Sequence, residues 1–161
     1  MSLKNTKSNS QAQKGFTIVE LLIVVVVIAI LAAITIVSYN GITSRANSSA
    51  AAAAAATVQK KAELFAADGT TGKYPLLFAD MTGATSDKTF ALTGVTGTLA
   101  APTSANGTNT VQFLKCAASG ANQSTILAAN ISGLRIGYFD FTNNLVKFID
   151  MGTTTACPTA A

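Results

Sequence analysis

The chain has 161 residues, of which 49% are apolar and only 11% charged, an unusual balance for a freely soluble protein. Its eleven Lys and Arg exceed its seven Asp and Glu, but three cations lie within residues 1–15, and the rest of the chain is nearly neutral. This balance gives little support for nucleic-acid binding. The chain has no His, and its outer acids are scattered singly, so we predict neither an enzyme nor catalytic residues, and we assign no cofactor and no metal ligand.

Residues 1–15, MSLKNTKSNSQAQKG, are polar and cationic, contain no acid and show no apolar periodicity. These properties predict a cytoplasmic leader peptide and not a folded segment.

An apolar run of 22 residues, Phe16–Val37, follows, interrupted only by Thr17, Glu20 and Thr35. A helix needs about 20 residues to cross a bilayer. The alternative is a buried helix of a soluble domain, but the 14 consecutive apolar residues at 21–34 leave no polar face. We therefore predict a transmembrane segment over residues 16–37, with the cationic leader inside and the rest of the chain outside.

Helix-forming sequence continues beyond this run, through seven consecutive alanines at residues 50–56, and we expect one helix over residues 16–67. Val58, Ala62 and Phe65 share one face of it and are expected to pack on a sheet. Gly41 is the weakest point of the helix, and a bend is expected there.

The remaining residues, 68–161, change to a Gly-, Thr-, Ser- and Asn-rich composition with short β-prone runs. Strands are predicted over KTFALTGV, NTVQFLKC and STILAANI, and a hairpin over LRIGYFDF, TNN and LVKFIDM. The predicted fold is α+β: a long amino-terminal helix packed on a small antiparallel sheet of about four strands.

The cysteines are a single pair, Cys116 and Cys157. If residues 68–161 are exported, an oxidising compartment favours a disulfide between them. The alternative is a pair of buried thiols in a reducing cytoplasm.

The position of Gly15 bears on how the leader is removed. A secretory signal needs a small-x-small site after its apolar stretch, whereas this stretch ends in LAAITIVSYN. The small residue instead precedes the stretch, so a cut between Gly15 and Phe16 would remove the leader and keep the apolar helix.

Glu20 is the one carboxylate within the apolar run. An acid in that position costs about 2.5 to 3.5 kcal/mol on insertion scales, more if it has no partner. A cut after Gly15 would create an amine at Phe16 that can neutralise Glu20 of the same or of a neighbouring helix. The alternative is that Glu20 reaches the headgroup region as an ordinary interfacial acid.

The segment KGFTIVELL, residues 14–22, resembles the signal of the type IV pilin family: a basic residue, Gly, Phe, Thr, and Glu fifth after the cut. The resemblance implies cleavage after Gly15 by a prepilin peptidase, N-methylation of Phe16, and contact of Glu20 with the Phe16 amine of a neighbour. It also implies a disulfide-bounded carboxy-terminal region closed by Cys116 and Cys157. Many major pilins break the helix with Gly and Pro late in the apolar segment, and residues 29–37 contain neither.

By this resemblance the chain is expected to be a structural subunit, most simply the major pilin, of a type IV pilus. The subunit would be held in the inner membrane by one span, and then assembled by a pilus machinery into a homo-oligomeric filament at the cell surface that serves motility, adhesion or DNA uptake. The first alternative is a pseudopilin of a type II secretion or DNA-uptake apparatus. Major secretion pseudopilins often bind calcium through acidic loops, whereas Asp140 and Asp150 stand alone.

A second alternative is a minor pilin that binds a surface or DNA. Its candidate basic patch consists of Lys88, Lys115, Arg135 and Lys147, with Tyr138 and Phe139 available to stack on bases. A solvated face with core aromatics explains the same residues.

Overall fold

The computed structural model of the chain describes residues 15–68, 72–82, 89–117, 122–154 and 157. Residues 1–14 of the leader expected at 1–15 lie outside them, as do Lys88 and parts of the segment that follows the helix. The chain divides into two compact units, Met1–Asn40 and Gly41–Ala161.

Helix α1 spans Ile18–Asp68, 51 residues, close to the range predicted from composition. It begins two residues later than expected, because Thr17 caps its amino terminus. The backbone stays helical through Gly41, the first residue of the second unit.

The sheet has four strands in the order β1-β2-β3-β4: Thr96–Thr98, Thr110–Ala117, Ile131–Asp140 and Leu145–Gly152. Strands β2, β3 and β4 pair antiparallel as predicted, and a four-residue turn at 141–144 closes the hairpin. Strand β1 instead runs parallel to β2, so the sheet is mixed. The segment between β1 and β2 contains a short 3-10 helix, Ser104–Asn106.

The core of the second unit lies between the carboxy-terminal half of α1 and one face of the sheet. Val58 and Ala62, two residues of the predicted stripe, are fully buried, while Phe65 is half-buried and meets Phe90 edge to face at 4.9 Å. They pack in one cluster with sheet residues, among them Val111, Phe113, Leu134, Ile136 and Met151. The α+β class with a helix packed on a sheet is confirmed.

Two of the strands expected from β-prone residues do not form. Residues 89–95 make a turn and irregular chain, and Phe90 and Leu92 are buried without joining the sheet. Residues 124–130 form turns, with the Leu127 N–H donating to Oδ1 of Asn130 at 2.7 Å, so that only Ile131 belongs to a strand. In both places apolar side chains on loops fill the core. A short β-prone run has the same sequence pattern whether it folds as a strand or as such a loop.

Candidate functional site

The start of α1 is closed by a reciprocal capping box between Thr17 and Glu20. The Glu20 N–H donates to Thr17 Oγ1 at 3.2 Å, and Glu20 Oε2 accepts from the Thr17 N–H at 2.8 Å and from Thr17 Oγ1 at 2.7 Å. These bonds satisfy donors that the first helical turn leaves without intrahelical partners. Helix α1 therefore starts at Ile18, and Gly15 and Phe16 lie in the non-helical segment just before it.

Sequence reasoning assigned Glu20 a charge-pairing role and missed the capping role of Thr17. The signal was present: Thr followed three residues later by Glu, before an apolar run, is the sequence pattern of a capping box.

The first part of α1 presents apolar side chains on all sides. Ile18, Val24 and Val37 are 84%, 51% and 75% exposed, and Phe16 just before the helix is 83% exposed. Within the described part of the chain, α1 is the single helix that is long and apolar enough to cross a membrane. Such a surface requires lipid or other apolar helices around it.

The Glu20 carboxylate uses one oxygen, Oε2, for both of its bonds to Thr17. A carboxylate has a second oxygen that can accept further donors. The nitrogen of Phe16 is a peptide nitrogen in the uncut chain, so the predicted amine arises only if the Gly15–Phe16 bond is broken.

Cys116 and Cys157 form a disulfide, with their Cα atoms 4.2 Å apart. Cys116 is fully buried on β2, which extends to Ala117. The disulfide thus ties the chain that follows β4 back to an inner strand of the sheet.

Asp140, at the end of β3, joins α1 to the hairpin turn. Its Oδ1 accepts from Ser48 Oγ and from the Thr142 N–H, both at 2.9 Å, and its Oδ2 accepts from Asn143 Nδ2 and Lys147 Nζ, both at 2.7 Å. These donors, Lys147 first, hold the pKa of Asp140 well below its usual range, and Asp140 in turn raises the pKa of Lys147. The carboxylate is therefore a structural anchor between two elements far apart in sequence.

The residues of the candidate basic patch have other partners in the structure. Arg135 forms a bidentate pair with Asp150, Nε to Oδ1 at 2.7 Å and Nη2 to Oδ2 at 2.9 Å, and this pair raises the pKa of Arg135.

The other residues of the candidate patch do not form an open basic surface with it. Lys115 donates to the carbonyl of Ile126, and Phe139 is buried. Tyr138 is half-buried against the core, and Lys88 lies outside the described residues. Of the three patch cations that the structure describes, Arg135 and Lys147 are thus already paired with carboxylates of the same chain.

Comparison with known proteins identifies the amino-terminal region of the chain. Residues 10–36 match the family described as the prokaryotic N-terminal methylation motif. No curated protein and no solved structure matches the chain. The matched range contains Gly15, Phe16, the capping pair Thr17 and Glu20, and most of the apolar run. The chain therefore carries, at residues 10–36, the amino-terminal signature of the type IV pilins and pseudopilins, a family of structural subunits.

Proposed function

We propose that this protein is the structural subunit, the major pilin, of a type IV pilus. The observation that carries the proposal is the coincidence of the methylation motif with a capped helix whose apolar surface is open on every side. A monomer with such a helix is stored in a membrane, and it can leave lipid only if other helices bury the same surface. Burial of apolar area at about 25 cal/mol per Å² favours such packing, and extraction from lipid offsets part of it.

The first step is cleavage between Gly15 and Phe16 by a prepilin peptidase, followed by N-methylation of the new terminus. The scissile bond precedes the capped helix, so its backbone groups are not part of the α-helical hydrogen-bond pattern. Residues 1–15 are removed, and residues 16–68 carry the helix into the filament. Replacing Gly15 by Leu places a bulky side chain beside this bond and is expected to leave the precursor uncut.

The second step is recognition between subunits through Glu20. After cleavage the Phe16 amine is the one cation that the mature apolar segment offers, and Oε1 of a neighbour's Glu20 is the acceptor that does not bond Thr17. Pairing them removes two unpaired charges from an apolar bundle, each of which is costly alone. Glu20 thus sets the stagger at which one helix packs against the next.

Two variants of Glu20 separate its charge from its capping role. In Glu20→Gln the side-chain oxygen still accepts from Thr17, so the helix start is kept while the charge is lost; Glu20→Ala loses both. Both proteins should be cleaved after Gly15, and both should give few filaments in sheared-filament preparations. Thr17→Ser, which keeps the cap and the charge, is the matched control and should assemble normally.

Abundant filaments from Glu20→Gln would show that charge pairing is not what sets the register. A defect confined to Glu20→Ala would assign the role of this residue to capping alone.

A further inference from the structure

The chain contains two Asn-Gly pairs, Asn40-Gly41 and Asn106-Gly107. In such a pair the backbone nitrogen of the glycine can attack the side-chain amide carbon of the asparagine, because glycine has no side chain to shield that nitrogen. The attack requires a nitrogen that is not held in a hydrogen bond and a peptide unit that can rotate. All four residues are exposed, so the two pairs differ in their backbone and not in their access to water.

The first pair lies inside helix α1. In an α-helix each N–H donates to the carbonyl four residues earlier, and this pattern fixes the backbone angles on both sides of the peptide unit. The nitrogen of Gly41 is therefore committed to the helix, and it can reach the side chain of Asn40 only after the helix opens locally. We expect this pair to react slowly in the folded chain.

The second pair lies at the end of the short 3-10 helix between β1 and β2. Among the described residues, the Gly107 N–H has no well-aligned hydrogen-bond acceptor. Gly107 has a φ of 74°, a region in which other residues are strained, so the turn itself favours glycine at this position. In the described structure no atom beyond the adjacent residues comes within 4 Å of the position of a Cβ there, which leaves this peptide unit room to rotate.

The side-chain amide of Asn106 is held by its oxygen. Oδ1 accepts from the Thr103 N–H and from Thr103 Oγ1, both at 2.8 Å. These two donors lie where negative charge develops on the oxygen when the amide carbon is attacked, and they stabilise that charge. The restraint on the peptide unit is a bond at the surface, from Thr110 Oγ1 to the Asn106 carbonyl at 2.8 Å, which opens as the unit rotates.

We propose that Asn106 is a site of spontaneous self-modification in the folded protein and that helix α1 protects Asn40 from the same reaction. The nitrogen of Gly107 gives up its proton to solvent and bonds to Cγ of Asn106, while Nδ2 takes up a proton and leaves as ammonia. The product is a cyclic succinimide. Water then opens the ring at either carbonyl carbon, which yields aspartate or isoaspartate. The reaction consumes only water, and it does not depend on the proposed pilus function.

The modification changes the charge of the loop between β1 and β2. Both products replace a neutral amide with a carboxylate. Beyond residues 1–15 the chain has eight Lys and Arg against seven Asp and Glu, so one added acid makes the two numbers equal. The isoaspartate product also routes the main chain through the side-chain carbon, which lengthens the loop. The charge of a molecule would therefore depend on its age.

Timed incubation of the purified full-length protein in detergent tests the proposal. Samples are digested at acidic pH, where the reaction is slow, and mass spectrometry follows the peptides that contain Asn40 and Asn106. A converted peptide is heavier by the difference between a hydroxyl and an amino group, and an isoaspartyl methyltransferase labels the isoaspartate form. We expect conversion at Asn106 to be at least about tenfold faster than at Asn40. The rate should rise with pH, because the attacking nitrogen must lose its proton.

Two controls separate the effect of the fold from that of the local sequence. Synthetic peptides of residues 36–45 and 102–111 are too short for stable helix, so their Asn-Gly pairs should react at similar rates. The variant Asn106→Gln, whose longer side chain closes a ring far less readily, should show no conversion at this position and unchanged conversion at Asn40. Equal rates at Asn40 and Asn106 in the folded protein would overturn the inference. It would also fail if Asn106 stayed intact while its peptide reacted, or if the two peptides already differed as much as the two sites.

Discussion

The hydroxyl of Ser48 in α1 donates a 2.9 Å hydrogen bond to Oδ1 of Asp140 at the end of β3, 92 residues further along the chain. The same hydroxyl accepts from the Thr142 N–H at 3.0 Å. Helix and hairpin turn are thereby held together by polar groups at the edge of the apolar core. A buried carboxylate is tolerated there because both of its oxygens accept hydrogen bonds.

Removal of this contact should destabilise the unit of residues 41–161. Ser48→Ala is expected to lower the free energy of unfolding by about 1 kcal/mol, the net value of one hydrogen bond. Asp140→Asn should cost more, since it also removes the charge that pairs with Lys147. Thermal unfolding of the full-length protein in detergent measures both. Ser49→Ala, at an exposed serine of the same helix, is the control; a Ser48→Ala protein as stable as this control would contradict the account.

Asp140 should also make the fold sensitive to acid. Its pKa is lowered in the folded chain, chiefly by Lys147, so its contribution is present above the unfolded pKa of about 3.9 and is lost as the pH falls through the folded value. We expect the melting temperature to decline progressively below about pH 4. The Asp140→Asn protein should show a flatter decline over the same range, and identical profiles would refute the role of this carboxylate.

The disulfide should supply a large part of the stability of the same unit. Cys116 and Cys157 are 41 residues apart, and in the chain-entropy model a loop of that size stabilises the fold by about 4 kcal/mol. The double variant Cys116→Ser, Cys157→Ser should melt at a markedly lower temperature than the oxidised protein. Reduction of the unmodified protein should reproduce the loss, whereas addition of reductant to the double variant should change nothing. A reductant-insensitive unmodified protein would contradict the prediction.

Gly41 is expected to weaken α1 locally. Among the described residues, no atom outside the adjoining helix backbone comes within 4 Å of the position a Cβ would take, so Gly41→Ala fits without a clash. It should raise helix stability by up to about 1 kcal/mol, which slowed amide hydrogen exchange around residue 41 would show. If assembly depends on a bend at this point, the same variant will form fewer filaments despite greater stability. Unchanged exchange would mean that Gly41 is not a weak point.

Much of the fold can be predicted from the sequence. The parts that cannot be predicted depend on contacts between residues far apart in the chain. Helix α1 and the β3–β4 hairpin follow from local composition and periodicity, which act over a few residues. Strand β1 has only three residues, Thr96–Thr98, and forms by pairing with β2, so no local pattern marks it. Phe90 and Leu92 lie in a β-prone run, but they are buried in the core as part of a loop. Tertiary packing, and not the local sequence, determines this.

The candidate site shows the same division. Gly15, Phe16 and Glu20 are candidates because of their positions at and within the apolar run, and their roles follow from the resemblance to the pilin signal. The capping role of Thr17 follows from a four-residue pattern. The contact of Asp140 with Ser48 depends on how the sheet meets the helix, so it has no local signature.

The most direct test of the central claim is the intact mass of the subunit in filaments sheared from cells that produce the protein. The account predicts one dominant species that begins at N-methylated Phe16 and is two hydrogens lighter than the reduced chain, owing to the Cys116–Cys157 disulfide. A chain that retains residues 1–15, or a processed chain found in the membrane and absent from filaments, would contradict it.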